Sequence, residues 1–161
     1  MSTSLIRPGI GCLTPRPAPD GLRMWTVDHP PTSALYDAPV DAQILLEHSG
    51  DLDRADLPLI AEVLAGVDDI LMAALRFVRE ALRDDPAFFG LTPAEAAPLL
   101  DADMSEFPLE SPQFTFHDDS WLLRFEGRLP ICDPYGLAVL FEGTRPVGVE
   151  DLSHAEMIEP S

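Results

Sequence analysis

The sequence predicts an α+β fold: an antiparallel sheet of early strands and a C-terminal β-meander, packed against one long amphipathic helix and a short one. Three observations carry this. Val40, Ala42, Ile44 and Leu46 alternate with Asp41, Gln43, Leu45 and Glu47, the period-2 pattern of a half-buried strand. Ile60, Val63, Leu64, Val67, Leu71, Ala74, Val78 and Leu82 recur at helical spacing. From Gln113 onward, short strand-like runs are separated by turn residues.

Residues 1–21 hold Pro8, Pro15, Pro17, Pro19, Gly9, Gly11 and Gly21 and show neither period. They read as an extended N-terminal arm outside a single domain over 22–161. Leu22 to Val27 forms a first strand that ends at Asp28-His29-Pro30-Pro31, and the second strand closes at Ser49-Gly50-Asp51. Asp56 is placed to cap a helix over 57–83, with Pro58 in its first turn, where a missing N–H costs nothing. That helix runs about seven turns. Asp84-Asp85-Pro86 stops it, because proline disfavours helical backbone in the residue before it.

Thr92-Pro93-Ala94-Glu95 has the form of a capping box, and Pro98 limits the helix it opens to about two turns. Residues 101–112 read as a loop. The runs Gln113–His117 and Trp121–Phe125 flank the turn Asp118-Asp119-Ser120 as a hairpin, and Pro130–Pro134 leads into the strands Gly136–Phe141 and Pro146–Val149.

Charge narrows the function classes. Twenty-eight acids face ten bases, a net charge of −18, and every base is arginine. Nucleic acid and anionic membrane surfaces are disfavoured as partners, because both need clustered cations. A cationic protein partner is favoured, drawn in by the long-range field. No apolar run reaches the 18 or so residues of a membrane span, and the N-terminus lacks a signal-peptide core, so a cytoplasmic location is expected. Cys12 and Cys132 match no metal or redox spacing and are expected as free thiols.

Catalytic signatures are sparse. His29, His48, His117 and His154 share no zinc spacing, and neither a nucleophile elbow nor a phosphate-binding loop occurs. His117-Asp118-Asp119 is the densest set of potential ligands, and Cys132 beside Asp133 lacks the cations that would activate a thiol. The sequence therefore predicts no enzyme, no metal and no cofactor. Arg76, Arg79 and Arg83 share a helix face, either as solvated charges at the helix C-terminus or as an anchor for the acidic segment that follows.

That segment carries six acids and no arginine between Asp101 and Asp119, interleaved with Met104, Phe107, Phe114 and Phe116 and bordered by Trp121. Such a run is a solvated loop over core aromatics, or a docking surface in which charge steers and aromatics hold. The docking reading selects Asp101, Asp103, Glu106, Asp118, Asp119 and Trp121, together with Asp133 and Tyr135 of a nearby turn.

The stretch Phe116-His117-Asp118-Asp119-Ser120-Trp121-Leu122-Leu123-Arg124-Phe125, followed by Cys132-Asp133-Pro134-Tyr135-Gly136-Leu137-Ala138-Val139-Leu140-Phe141-Glu142-Gly143, resembles small bacterial domains found beside secreted polymorphic toxins. Many of these are classed as immunity proteins. The resemblance spans residues 40–150 and implies a central helix before a terminal meander, in a stoichiometric inhibitor that covers a toxin's active site or substrate entry. It carries no functional residue across, because function in such domains lies in the grafted surface. Two other functions remain open: a chaperone or adaptor that escorts a secreted effector, and a small metal-dependent hydrolase using His117, Asp118 and Asp119.

Overall fold

The computed structural model describes residues 4–19, 21–47, 52–118, 120–133 and 136–152. Its first four long segments form an antiparallel ladder: β1 (Leu5–Arg7), β2 (Gly11–Arg16), β3 (Leu22–Val27) and, after a two-stranded ribbon of β4 (Thr32–Ser33) and β5 (Ala38–Pro39), β6 (Asp41–Glu47). A helical crossover follows, with α1 (Leu57–Ala65), α2 (Val67–Asp84) and α3 (Pro93–Leu100). The chain then returns as β7 (Leu109–Phe116), β8 (Trp121–Gly127), β9 (Leu137–Glu142) and β10 (Arg145–Asp151). Spatial order equals chain order in the resulting eight-stranded sheet, β1-β2-β3-β6-β7-β8-β9-β10. Among the described residues, only β6 and β7 pair in parallel, which is the geometry a long crossover connection permits.

Alternation sends Leu13, Trp25, Ile44, Phe114, Phe116, Leu123, Phe125, Leu137 and Val139 to the helical side, where they are buried. Against them α2 sets Val67, Ile70, Leu71, Ala74, Leu75, Val78 and Leu82, all buried, at the spacing that puts them on one helix face. This double layer is the α+β architecture that the sequence predicts.

Four local expectations need correction. Residues 5–16 are not an arm; they are the first hairpin of the sheet. Pro8-Gly9 makes its turn, and Gly9, at φ +76°, lies so close to α1 that a Cβ would stand 2.8 Å from that of Ala61. Ile10 and Leu13 are buried beneath it, and Arg7 reaches Asp53 at 2.9 Å. A three-residue strand is too short to show a period, and a turn's proline and glycine look like a linker's.

The predicted single helix over 57–83 is two helices broken at Gly66, whose φ of −110° and ψ of 37° leave the helical region. The apolar stripe runs through the break in phase, so periodicity alone does not reveal it. Residues 101–112 are only partly loop, because β7 begins at Leu109. The sheet is also not wholly antiparallel, as the β6–β7 seam shows.

The capping box does form as predicted. Thr92 accepts from the Glu95 backbone N–H at 3.2 Å, and the Glu95 carboxylate accepts from the Thr92 N–H at 3.0 Å. Among the described residues, no helix is long and apolar enough to cross a membrane.

Candidate functional site

The acidic residues selected from the sequence do not form one surface. Asp101 follows α3, and Asp103 and Glu106 lie beside and within a 3-10 turn leading to the start of β7; all three are exposed. Asp133 is exposed beyond the end of β8, at that same end of the sheet. Asp118 lies in the β7–β8 turn at the opposite end, about 26 Å away along the eight residues of β7 at about 3.3 Å each. Its half-buried carboxylate accepts the Glu47 backbone N–H at 3.2 Å. Asp119 and Tyr135 lie outside the described residues.

Trp121 is not a surface anchor. It is 3% exposed, its ring stacks on Phe141 at 4.2 Å between centroids, and its indole N–H donates to the Gly143 carbonyl at 2.8 Å. Met104, Phe107, Phe114 and Phe116 are buried as well. The aromatics that punctuate the acidic run turn into the core, so they hold the fold and are not exposed anchors among the carboxylates.

His117 and Asp118 do share a small recess of about 160 Å³ with Asp56, Trp121 and Glu142, between the start of α1 and two hairpin turns. Among the described residues, no three His, Cys, Asp or Glu side chains converge closely enough to hold a metal ion. Cys12 and Cys132 are both free thiols; burial pushes Cys132 up to about 11, far from the range in which a thiolate forms at neutral pH. In the arginine trio, Arg76 is exposed, Arg83 pairs with Glu80 one turn back, and the Arg79 Nε is buried without a hydrogen-bond partner.

Among the described residues, the other face of the sheet carries no helical layer. Leu22, Met24, Leu45, Leu122 and Leu140 point there; each is half-buried, and none belongs to the helix-side core or packs on it. The pairing registers align these side chains in rows that cross the strands. One row runs Thr14, Thr26, Gln43, Thr115, Leu122, Leu140 and Gly148, and carries no charge. Within it the Gln43 amide donates to the Thr115 hydroxyl at 3.2 Å, tying the parallel seam together.

The charged residues of the eight strands on this face lie around that row: Asp41, Glu47, Glu110, Glu126, Glu142 and Glu150 against Arg16, Arg124 and Arg145, with Asp28 just past the end of β3. Two depressions of about 520 and 620 Å³ meet at Asp41 and Gln113 and form a trough along its edge. The β4–β5 ribbon, through Tyr36, Ala38 and Pro39, makes one wall. Ribbon and helices are joined by Asp68, which accepts from the Ser33 hydroxyl at 2.5 Å and the Ala34 N–H at 3.1 Å; these bonds hold its carboxyl below the ordinary aspartate range.

At one end of the trough, Asp28 accepts from the Thr14 hydroxyl at 2.9 Å. Hydrogen bonding to Cys12 and then to Thr14 lowers its carboxyl, and the same contact with Asp28 raises the Cys12 thiol. At the other end β7 bulges between Glu110 and Gln113, and Ser111 adopts a left-handed φ of +51°. A bulge at this place re-aims side chains toward the trough. Sequence reasoning missed this surface because the rows exist only after register is fixed, although the polar side of 41–47 was legible.

Compared with known protein families, with curated proteins and with solved structures, the chain matches none.

Proposed function

We propose that this chain is a stoichiometric binding protein of the immunity type, which neutralises a basic bacterial toxin by covering its active site or substrate entry. The observation that carries the reading is the uncovered sheet face, uncharged along its centre and bordered by a surplus of carboxylates. At about 4.8 Å per strand spacing and about 20 Å of strand length, eight strands present on the order of 700 Å². A specific protein complex buries about 800 Å² on each partner, so one face of this size is nearly sufficient.

The net charge of −18 supports the same reading, since it accelerates encounter with a cationic surface. The two stretches that resemble immunity domains are neighbours in space, because β7, β8 and β9 pair consecutively. An escort would be supported by an exposed N-terminal arm together with acidity; residues 5–16 lie in the sheet, which leaves it the acidity alone.

The test is co-expression with the C-terminal domain of a secreted protein encoded in the adjacent gene. An immunity protein restores growth and forms a one-to-one complex in which the toxin is inactive. A complex in which the partner keeps full activity indicates an escort instead. Turnover of a substrate by the purified chain, with metal found by elemental analysis, indicates the hydrolase.

A further inference from the structure

The sheet pairing places two carboxylates where sheet stability alone would not put them. Glu110 of β7 and Glu126 of β8 are direct cross-strand partners on the uncovered face. Like charges directly opposite one another destabilise an antiparallel pair. Two cations border the pair: Arg128, whose Nε stands 3.8 Å from Glu110 in a long contact between exposed side chains, and Arg124, two residues from Glu126 on the same face of β8. Farther along the trough Asp41 lies exposed in the register row that contains Gln113 and Arg124. About four residues along β8 from Glu126, Leu122 sits opposite Leu140 of β9, with Gly148 of β10 beyond it as a flat margin.

Resting on the reading of the chain as a toxin-binding protein, we propose that the trough beside Glu110, Glu126 and Asp41 receives arginine or lysine side chains of the partner, while an aliphatic side chain of that partner seats on Leu122 and Leu140. The occupant is thus a basic protein segment with a neighbouring apolar anchor. A guanidinium between Glu110 and Glu126 turns an unfavourable pair into two charge-assisted hydrogen bonds. A second copy of this chain is the wrong occupant, because it would bring the same excess of carboxylates against them. The left-handed Ser111 and the bulge beside it are the local distortion that opens this end of the trough.

The experiment uses the full chain and a fluorescent peptide of alternating arginine and leucine, followed by anisotropy at low and at physiological salt. Asp41→Arg with Glu126→Arg is one variant, Leu140→Asp is another, and Asp101→Arg with Asp103→Arg is a control that makes the same change in net charge outside this face. Expected is a loss of at least tenfold in affinity for each of the first two and less than twofold for the control. A Glu126→Gln chain, which relieves the like-charge pair, should unfold at an equal or higher midpoint and still lose about threefold or more in peptide affinity.

Absence of binding, or equal weakening by the control, overturns the proposal. Binding displaced by millimolar calcium without salt dependence also overturns it, in favour of a divalent cation at the carboxylates. The broader reading is judged separately by neutralisation of the toxin. Neutralisation lost only in the control variant removes this surface and keeps the function; peptide binding at this face without neutralisation keeps the surface and removes the function.

Discussion

Trp121 illustrates how a residue suited to recognition can serve the fold instead. Its ring lies between Phe141 and Phe116, with centroids 4.2 and 5.3 Å away. Trp121→Ala should therefore cost about 3–5 kcal/mol of stability, seen as a lower urea midpoint, whatever partner is present. Trp121→Phe keeps most of the packing and loses the bond to Gly143, a change of about 1 kcal/mol. Asp68 shows the same economy in a charged group. Because folding lowers its pKa, its stabilising contribution is complete above the unfolded value of about 3.9 and is lost as pH falls through the folded one. Asp68→Asn should flatten the fall in stability below about pH 4, while at pH 7 it is less stable than the parent, as denaturation at both pH values would show. Neither role is legible beforehand: a tryptophan bordering an acidic run gives no sign in sequence that its ring is buried, and Asp68 is one of several paired acids.

Elements announce themselves when their signals are long or chemically specific. The capping box at Thr92 was readable because two side chains and two backbone groups at fixed spacing satisfy each other. Thr92→Ala should cost about 1 kcal/mol and raise hydrogen exchange in α3 ahead of α2. Gly66 was not readable, since glycine is tolerated inside helices and the buried stripe Ile60, Val63, Leu64, Val67 passes through it unbroken. The first hairpin was not readable either, because turn and linker chemistry coincide at Pro8-Gly9. Removing residues 1–18 takes Ile10 and Leu13 out of the core and uncovers the edge of β3. The shortened chain should aggregate or unfold at a markedly lower temperature, measurable by calorimetry and light scattering, where loss of a true arm would have left both unchanged.

At the scale of the whole molecule, fold class was legible and surface was not. Period and length separate strands from helices along the chain, but which carboxylates become neighbours depends on register, on the parallel seam and on a single-sided helical layer. That is why Asp101 and Asp118, 17 residues apart in sequence, end at opposite ends of the sheet, while Asp41 and Gln113, 72 apart, stand side by side. Net charge, by contrast, needs no fold to be read. If the chain captures a basic protein, its association rate should fall steeply between about 50 and 200 mM salt while dissociation changes little, as stopped-flow mixing would measure.

The sequential strand order gives the molecule a natural place to be divided. Every strand of the first ladder finds its partners before residue 48, and every strand of the last ladder finds its own after residue 108, save at the one seam where β6 meets β7. Severing the connection between Leu100 and Leu109 would leave two fragments, each with its hairpins intact and a sticky flank shaped for the other. Expressed separately and mixed, they should reassemble, and a reporter enzyme divided between them would register each reunion.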